Sequence, residues 1–127
     1  MTVILIVEDN EKNMKLVRDI LQFKGYQTLE ATNGTDGLRL AAENNPDLIL
    51  MDIQLPDIDG ITALGRLRAE PRTRDTPVIA VSASVMPDEQ QAIAASGFNA
   101  YITKPINVKS FVETVEKYVG KPAPAQP

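Results

Sequence analysis

Five polar residues in this 127-residue sequence come at the ends of short apolar runs, and together they could handle a phosphoryl group. Glu8 and Asp9 follow the first run, Asp52 the third, Ser82 the fourth, and Lys104 comes two positions after the fifth. Carboxylates that lie close together repel, so at neutral pH they hold a proton or bind a cation. An oxygen-only site suits Mg²⁺, which also accepts phosphate oxygens as ligands. A carboxylate beside such a cation can act as a nucleophile towards phosphorus, while a hydroxyl and an ammonium neutralise the phosphoryl oxygens.

Each of these residues has an ordinary structural explanation when it is considered alone. Asp9 or Asn10 could cap a helix, and Ser82 could be a turn residue. Lys104 could be a solvated surface lysine. These explanations do not account for the joint placement of the carboxylates, the hydroxyl and the ammonium at the ends of successive apolar runs. The joint placement therefore favours a site.

The apolar runs are most simply explained as the strands of one parallel sheet. Most of them are continuous rather than alternating, as expected for strands that are covered on both faces. Segments with helical spacing separate them, which predicts an α/β fold with a doubly wound, open sheet. All carboxyl ends of parallel strands meet at one edge, where such proteins bind ligands. The five predicted strands are Val3–Val7, Thr28–Ala31, Leu48–Met51, Val78–Val81 and Ala100–Ile102.

Five segments between and after these runs are predicted to be helices. Four have apolar stripes, formed by Met14, Val17, Ile20 and Leu21; by Leu38, Ala41 and Ala42; by Ile61, Leu64 and Leu67; and by Val108, Phe111, Val112, Val115 and Val119. The fifth, about Pro87 to Ala95, has a buried face of mostly Ala and Ile93, so we expect it to be lightly anchored. Asp57 and Asp59 are interpreted as turn and helix-start residues before the third stripe.

Composition excludes several classes of chemistry. The sequence contains no Cys and no His, which excludes disulfides, zinc-thiolate sites, a Ser-His-Asp triad and a phosphohistidine within the chain. The net charge is −4 and the Lys and Arg residues are scattered, so no nucleic-acid-binding surface is expected. The longest apolar runs are far shorter than the roughly 20 residues that cross a bilayer. We therefore expect a cytoplasmic protein with one domain over residues 1–120 and a disordered, Pro-rich tail over 121–127.

Four motifs, taken in order, resemble the receiver domain of two-component response regulators. They are V-E-D-N after the first strand, L-I-L-M-D-I-Q-L-P-D-I-D-G around Asp52, V-I-A-V-S-A-S, and Y-I-T-K-P. The resemblance extends over residues 2–119 and, more loosely, is greatest for single-domain regulators of the DivK type. It implies a flavodoxin-like sheet of five parallel strands in the order 2-1-3-4-5.

The resemblance also implies roles for the residues of the site. Asp52 would be the phosphoacceptor. Mg²⁺ would be bound by Asp9, by Asp52, by the backbone carbonyl of Gln54, and through water by Glu8. In this family such a chain is a switch and not a separate enzyme, catalysing only its own Mg²⁺-dependent phosphorylation and slow dephosphorylation.

A second group of residues would respond to the phosphoryl group. Ser82 would bond to it and Lys104 would pair with it, with the Lys104–Pro105 bond in the cis form that only X-Pro bonds adopt readily. Tyr101 matches the aromatic residue that turns inward as Ser82 moves. Ser84 would flank the phosphoryl group together with Gln54.

The resemblance further implies the partners of the chain. A sensor histidine kinase or phosphotransfer protein would donate the phosphoryl group. A downstream protein would bind the face formed by the fourth helix, the fifth strand and the fifth helix, with no role for nucleic acid or membrane. Two alternatives are a receiver-like docking module that is not phosphorylated and a Mg²⁺-dependent phosphohydrolase of the haloacid-dehalogenase type. The second lacks its acid/base Asp, because Gln54 stands two positions after Asp52.

Overall fold

A five-stranded parallel sheet with the order β2-β1-β3-β4-β5 organises the computed structural model, which describes residues 2–83 and 86–120. The predicted sheet and strand order are thus confirmed. The strands are β1 (Val3–Val7), β2 (Gln27–Ala31), β3 (Leu48–Asp52), β4 (Val78–Ser82) and β5 (Ala100–Thr103). The helices are α1 (Glu11–Phe23), α2 (Gly34–Asn44), α3 (Gly60–Ala69), α4 (Pro87–Ala95) and α5 (Val108–Val119).

The predicted strand bounds agree with the structure to within one residue. Three strands extend one residue further than predicted at their carboxyl ends, to Asp52, Ser82 and Thr103. Each of these residues still pairs with a neighbouring strand, so backbone pairing continues after the apolar pattern has stopped. Asp52 and Ser82 therefore stand on the strands themselves, whereas Glu8, Asp9 and Lys104 directly follow the ends of β1 and β5.

Burial along the sheet follows the strand order. β3 and β4 are buried along their whole length and β1 from its second residue. The edge strands β2 and β5 are partly exposed, because each has a neighbour on one side only. Side chains from α1 and α5 pack on one face of the sheet, and those from α2 and α3 pack on the other. Each large apolar side chain buried in this way contributes about 1.5–3 kcal/mol of transfer free energy.

Four of the five helices begin at a side-chain cap. The N-cap residues Asn10, Asn33, Asp59 and Asn107 each accept a hydrogen bond from the backbone N–H three positions later. Such caps satisfy donors that the first turn of a helix leaves unpaired. Since Asn10 caps α1, Asp9 is not needed for that purpose.

Two predicted core positions are wrong. Ile61 is 37% exposed, because Ala63, Leu64 and Leu67 form the buried side of α3. Val108 is 50% exposed because it is the first residue of α5 and lies before the buried residues of that helix.

The light anchoring of α4 is confirmed, since Ile93 is its only buried residue. The predicted Pro-rich tail, 121–127, lies outside the described residues. Among the helices that the structure describes, none combines the length and the apolarity required to span a membrane.

Candidate functional site

The register of the sheet sets the positions of the two buried carboxylates. Val7 pairs with Met51, so the residues that follow them, Glu8 and Asp52, are level at the carboxyl edge. Both are 4% exposed. Two carboxylates at the end of adjacent buried strands are crowded and poorly hydrated, and they require a cation or a proton nearby.

Lys104 supplies one positive charge to this pair. Ser82 and Thr103 pair across β4 and β5, and the backbone N–H of Lys104 donates to the carbonyl of Ser82 over 2.9 Å. This places the Lys104 ammonium 3.0 Å from Glu8 Oε1 and 3.1 Å from Asp52 Oδ2. One ammonium therefore bridges both carboxylates.

The electrostatics of the site follow from this geometry. Burial, together with a hydrogen bond to Asp52, raises the pKa of Glu8 to about 7. Burial by itself lowers the pKa of Lys104, but its bonds to Glu8 and Asp52 outweigh that effect and raise it. Lys104 is thus held in its charged form, while two carboxylates share a single ammonium. The negative charge of these two carboxylates can therefore be balanced further by a bound cation.

The oxygen atoms of the site fit a hard divalent cation. One carboxylate oxygen from each of Glu8, Asp9 and Asp52 lies within 4.8 Å of the other two. Glu8 and Asp52 are buried and Asp9 is exposed, so the group opens to solvent on one side. Mg²⁺ prefers oxygen ligands and retains several waters, which this arrangement allows.

The loop after β3 holds Asp52 in place. The backbone N–H of Gln54 donates to Asp52 Oδ1 over 2.9 Å, and the N–H of Gly60 donates to the carbonyl of Ile53 over 2.9 Å. A Cβ at Gly60 would lie 2.9 Å from the Cα of Ile53 and 3.0 Å from the carbonyl oxygen of Asp52. Only glycine allows the backbone to approach this closely.

Asp57 has a role that the sequence did not predict. Its carboxylate accepts hydrogen bonds from Gly34 N (2.7 Å), Thr35 N (2.8 Å) and Thr35 Oγ1 (2.6 Å) at the start of α2. The interpretation of Asp57 as a local turn residue is therefore incomplete, because it fastens the β3–α3 loop to a different helix. The Thr35 hydroxyl and these two backbone N–H groups hold the pKa of Asp57 well below its usual range. No local pattern relates residues so far apart in sequence.

The residues predicted to respond to phosphorylation lie along β4 and β5. Ser82 is 1% exposed and Tyr101 is 37% exposed. The Lys104–Pro105 bond is cis, as predicted. Ser84 lies outside the described residues. The structure thus brings Glu8, Asp9, Asp52 and Lys104 together, places Ser82 on the same edge, and leaves Tyr101 on the surface of β5; the roles assigned to them remain predictions.

A family model for the response regulator receiver domain matches residues 4–116. The chain belongs to this family. Polar-differentiation response regulators DivK from Brucella anthropi and Brucella abortus are 48% and 47% identical to this receiver domain over 117 residues. The aligned region covers 92% of this chain and 95% of each relative. The predicted similarity to single-domain regulators of the DivK type is confirmed.

Solved structures agree with this assignment. The receiver domain of the sensor histidine kinase PA1611 from Pseudomonas aeruginosa has a TM-score of 0.87 and 30% identity, covering 94% of this chain and 98% of that chain. Its crystal structure contains a magnesium ion coordinated in the active-site cleft. The chemotaxis protein CheY4 of Vibrio cholerae has a TM-score of 0.86, with coverage of 93% and 98%, and at 24% identity it supports the fold alone. The receiver fold is thus shown by sequence and structure together.

Proposed function

We propose that this receiver domain is a switch that accepts a phosphoryl group on Asp52 from a histidine kinase or phosphotransfer protein. The observation that carries the proposal is the buried Asp52 carboxylate, bonded to Lys104 and grouped with Glu8 and Asp9. The chain has no His, so a phosphohistidine must come from a partner. The similarity to receiver domains and to DivK response regulators favours neither alternative function, the docking module that is not phosphorylated or the phosphohydrolase.

In the proposed reaction, a carboxylate oxygen of Asp52 forms a bond to phosphorus as the bond from phosphorus to the partner's imidazole nitrogen breaks. Gln54 N–H and Lys104 hold the Asp52 carboxylate before the reaction. Lys104 then pairs with the phosphoryl oxygens, and Ser82 donates its hydroxyl hydrogen to one of them. Asp9, Asp52, the carbonyl of Gln54 and, through water, Glu8 would hold Mg²⁺. When bound, Mg²⁺ supplies positive charge beside the phosphoryl oxygens.

The same proposal covers the output of the switch. A phosphoryl group adds about −1.5 to −2 charge and favours a state in which Ser82 and Lys104 close on it. We assign the partner-binding face to α4, β5 and α5. In support, Tyr101 and Val108 are exposed on this face. Tyr101 also lines two neighbouring clefts of about 190 and 200 Å³.

We further propose that residues 1–120 form the switch and that its only catalytic activity is its own phosphorylation and dephosphorylation. We also expect it to lie in the cytoplasm. The family assignment supports the first two points, since the matched region, 4–116, is a receiver domain. A cytoplasmic location remains a prediction.

The test is a titration with beryllofluoride, a mimic of the acyl phosphate, with and without Mg²⁺, followed by amide NMR shifts. We expect Mg²⁺-dependent shifts at Asp52, Ser82 and Tyr101. They should be absent in Asp52→Asn, which keeps the shape of the side chain. Asp75→Asn is the matched control, because Asp75 is exposed in the loop before β4, and it should shift as the wild type does.

The outcomes separate the alternatives. A folded protein that shows no shifts would mean that the acidic cluster is structural, and the docking-module function would then be favoured. Shifts that persist in Asp52→Asn would mean that the mimic binds elsewhere, which contradicts the assignment of Asp52.

A further inference from the structure

A surface groove lies beside the candidate site, between the β3–α3 loop, the first turn of α3, and α4. We call it the α3–α4 groove; it has a volume of about 440 Å³. This falls within the range of roughly 300–1,000 Å³ that is typical of ligand-binding clefts. Its apolar lining includes Ile53, Leu55, Ile61 and Ile93. The groove is distinct from the acidic cluster, none of whose carboxylates lines it.

Ile61 is the apolar residue that the fold leaves uncovered here. Its spacing in the sequence predicts burial with Leu64 and Leu67, yet it is 37% exposed and lines the groove instead. Ile93, at 2% exposure, forms a closed apolar floor on the α4 side. A branched apolar side chain lying on this floor would bury surface of the exposed Ile61 and of the partly exposed Ile53 and Leu55, at about 25 cal/mol per Å² of area removed from water.

The charged groups that line the groove are both acidic. Asp59 lines it at the start of α3 and Glu89 lines it in the first turn of α4, and no Lys or Arg is among the described lining residues. Asp59 accepts hydrogen bonds from the backbone and hydroxyl of Thr62, which lower its pKa and keep it ionised at neutral pH. Glu89 forms no ion pair with any described residue. A ligand with a cationic group would therefore be attracted to the acidic residues on both sides of the groove, Asp59 and Glu89.

We propose that the α3–α4 groove binds a segment of a partner protein that presents a branched apolar side chain next to Lys or Arg. The apolar side chain would enter between Ile61 and Ile93, and the cationic group would lie between Asp59 and Glu89. The groove shares α4 and Ile93 with the α4–β5–α5 face, but its other wall is the β3–α3 loop and α3, whereas the clefts of that face surround Tyr101. The interaction is proposed for the unphosphorylated chain, so it can be tested separately from the function proposed above.

The test uses two matched peptides and the ¹⁵N-labelled full chain without a phosphoryl donor. The basic peptide is acetyl-Ala-Leu-Arg-Leu-Arg-amide, and the acidic peptide replaces both Arg residues by Glu. We expect the basic peptide to cause saturable amide shifts at Ile53, Ile61 and Ala92, with an affinity at least about tenfold above that of the acidic peptide. Equal affinities, no saturable shifts, or shifts confined to the Tyr101 side would overturn the proposal.

Substitutions inside and outside the groove test whether the peptide binds there. Ile61→Ser should weaken binding of the basic peptide by removing the apolar contact, and Glu89→Lys should narrow the preference for the basic peptide over the acidic one. Leu16→Ser on α1 and Glu113→Lys on α5 make the same chemical changes at exposed positions outside the groove and should leave both affinities unchanged. The amide spectrum of each variant reports whether it is folded. An unchanged preference in folded Glu89→Lys would contradict the assigned charge complementarity.

Discussion

Two walls border the α3–α4 groove, and they are anchored very differently. On one side, the backbone N–H of Gln54 ties the β3–α3 loop to Asp52, and Asp57 accepts three hydrogen bonds from the start of α2. On the other side, α4 has a single buried residue, Ile93, and no side-chain cap hydrogen bond at its first turn. Elements with few buried apolar contacts open at low free-energy cost, so α4 should be the less stable wall.

This difference suggests that one wall positions groups accurately and that the other can change its conformation. The anchored wall begins directly after Asp52 and carries Gln54, whose backbone N–H holds the Asp52 carboxylate. A group proposed to react must be held accurately in position. The lightly anchored wall can adopt a second arrangement, and a ligand that contacts the two arrangements differently can shift the balance between them. The α3–α4 groove lies between the two walls, with Ile53 on the anchored side and Ile93 on the other.

The largest effect is expected from Ile93→Ala, which tests how weakly α4 is held. Truncating a buried isoleucine costs about 2–5 kcal/mol, and here the loss should fall on α4 because Ile93 is its only buried residue. Hydrogen exchange should become faster in α4 and change little in α1. Ile61→Ala, at a position that is 37% exposed, is the control and should have a much smaller effect. An equal loss of protection in α1 would mean that α4 is not a separate, weakly held wall.

Gly60→Ala tests the anchored wall. The new Cβ would contact the Cα of Ile53 and the carbonyl of Asp52, so the backbone must shift, at a cost of about 1–3 kcal/mol in unfolding free energy. Gly65→Ala, in the same helix, is a matched control with no atom within 4 Å of the added Cβ. It should stabilise the protein by about 0.5–1 kcal/mol through helix propensity. Urea denaturation measures both changes, and equal effects would contradict the tight packing of Gly60.

A new N-cap on α4 should reduce the difference in stability between the two walls. Met86 occupies the N-cap position of that helix, where Asp is strongly preferred. Met86→Asp should stabilise α4 by about 1 kcal/mol and slow hydrogen exchange in its first turns. Asn107→Ala at the N-cap of α5 is the converse control, because it removes an existing cap and should speed exchange there. No change in α4 would indicate that its N-terminus is held by contacts other than the cap.

The smallest effect is expected from the hydrogen bonds of Asp57, because this side chain is exposed to solvent. The Thr35 hydroxyl and the backbone N–H groups of Gly34 and Thr35 lower its pKa. Its contribution to stability is therefore complete above the unfolded-state pKa of about 3.9, and it is lost as the pH falls below that value towards the lowered folded-state pKa. The carboxylate thus stabilises the anchored wall at neutral pH.

Asp57→Asn should accordingly lower the urea midpoint at neutral pH, and the difference from the wild type should shrink below a pH of about 4. Asp88→Asn, at an exposed position in α4, is the control. A difference between wild type and Asp57→Asn that stays constant down to low pH would show that the carboxylate charge is not what holds the loop to α2.

Much of the site could be predicted because its residues occupy the ends of strands. The apolar runs gave the strands to within one residue, and parallel strands necessarily place their carboxyl ends together. Those two facts place Glu8, Asp52 and Lys104 at one edge, and the strand order that the resemblance to receiver domains implied brings them together there. The loop between Asp52 and α3 was less predictable, since Asp57 bonds to Thr35, and a contact between distant segments has no local signal in the sequence.

The exposure of Ile61 could not be predicted from local sequence either. Its helical spacing indicated burial, but the rotation of a helix against a sheet is decided by how all the facing side chains pack, and here Ala63 takes the inner place. The order of strands and helices along the chain, the members of the acidic site and its lysine could be predicted, because they depend on periodicity and on strand ends. The exposed apolar side chains, the attachment of the β3–α3 loop and the position of the groove could not be predicted, because they arise from packing between segments far apart in the chain.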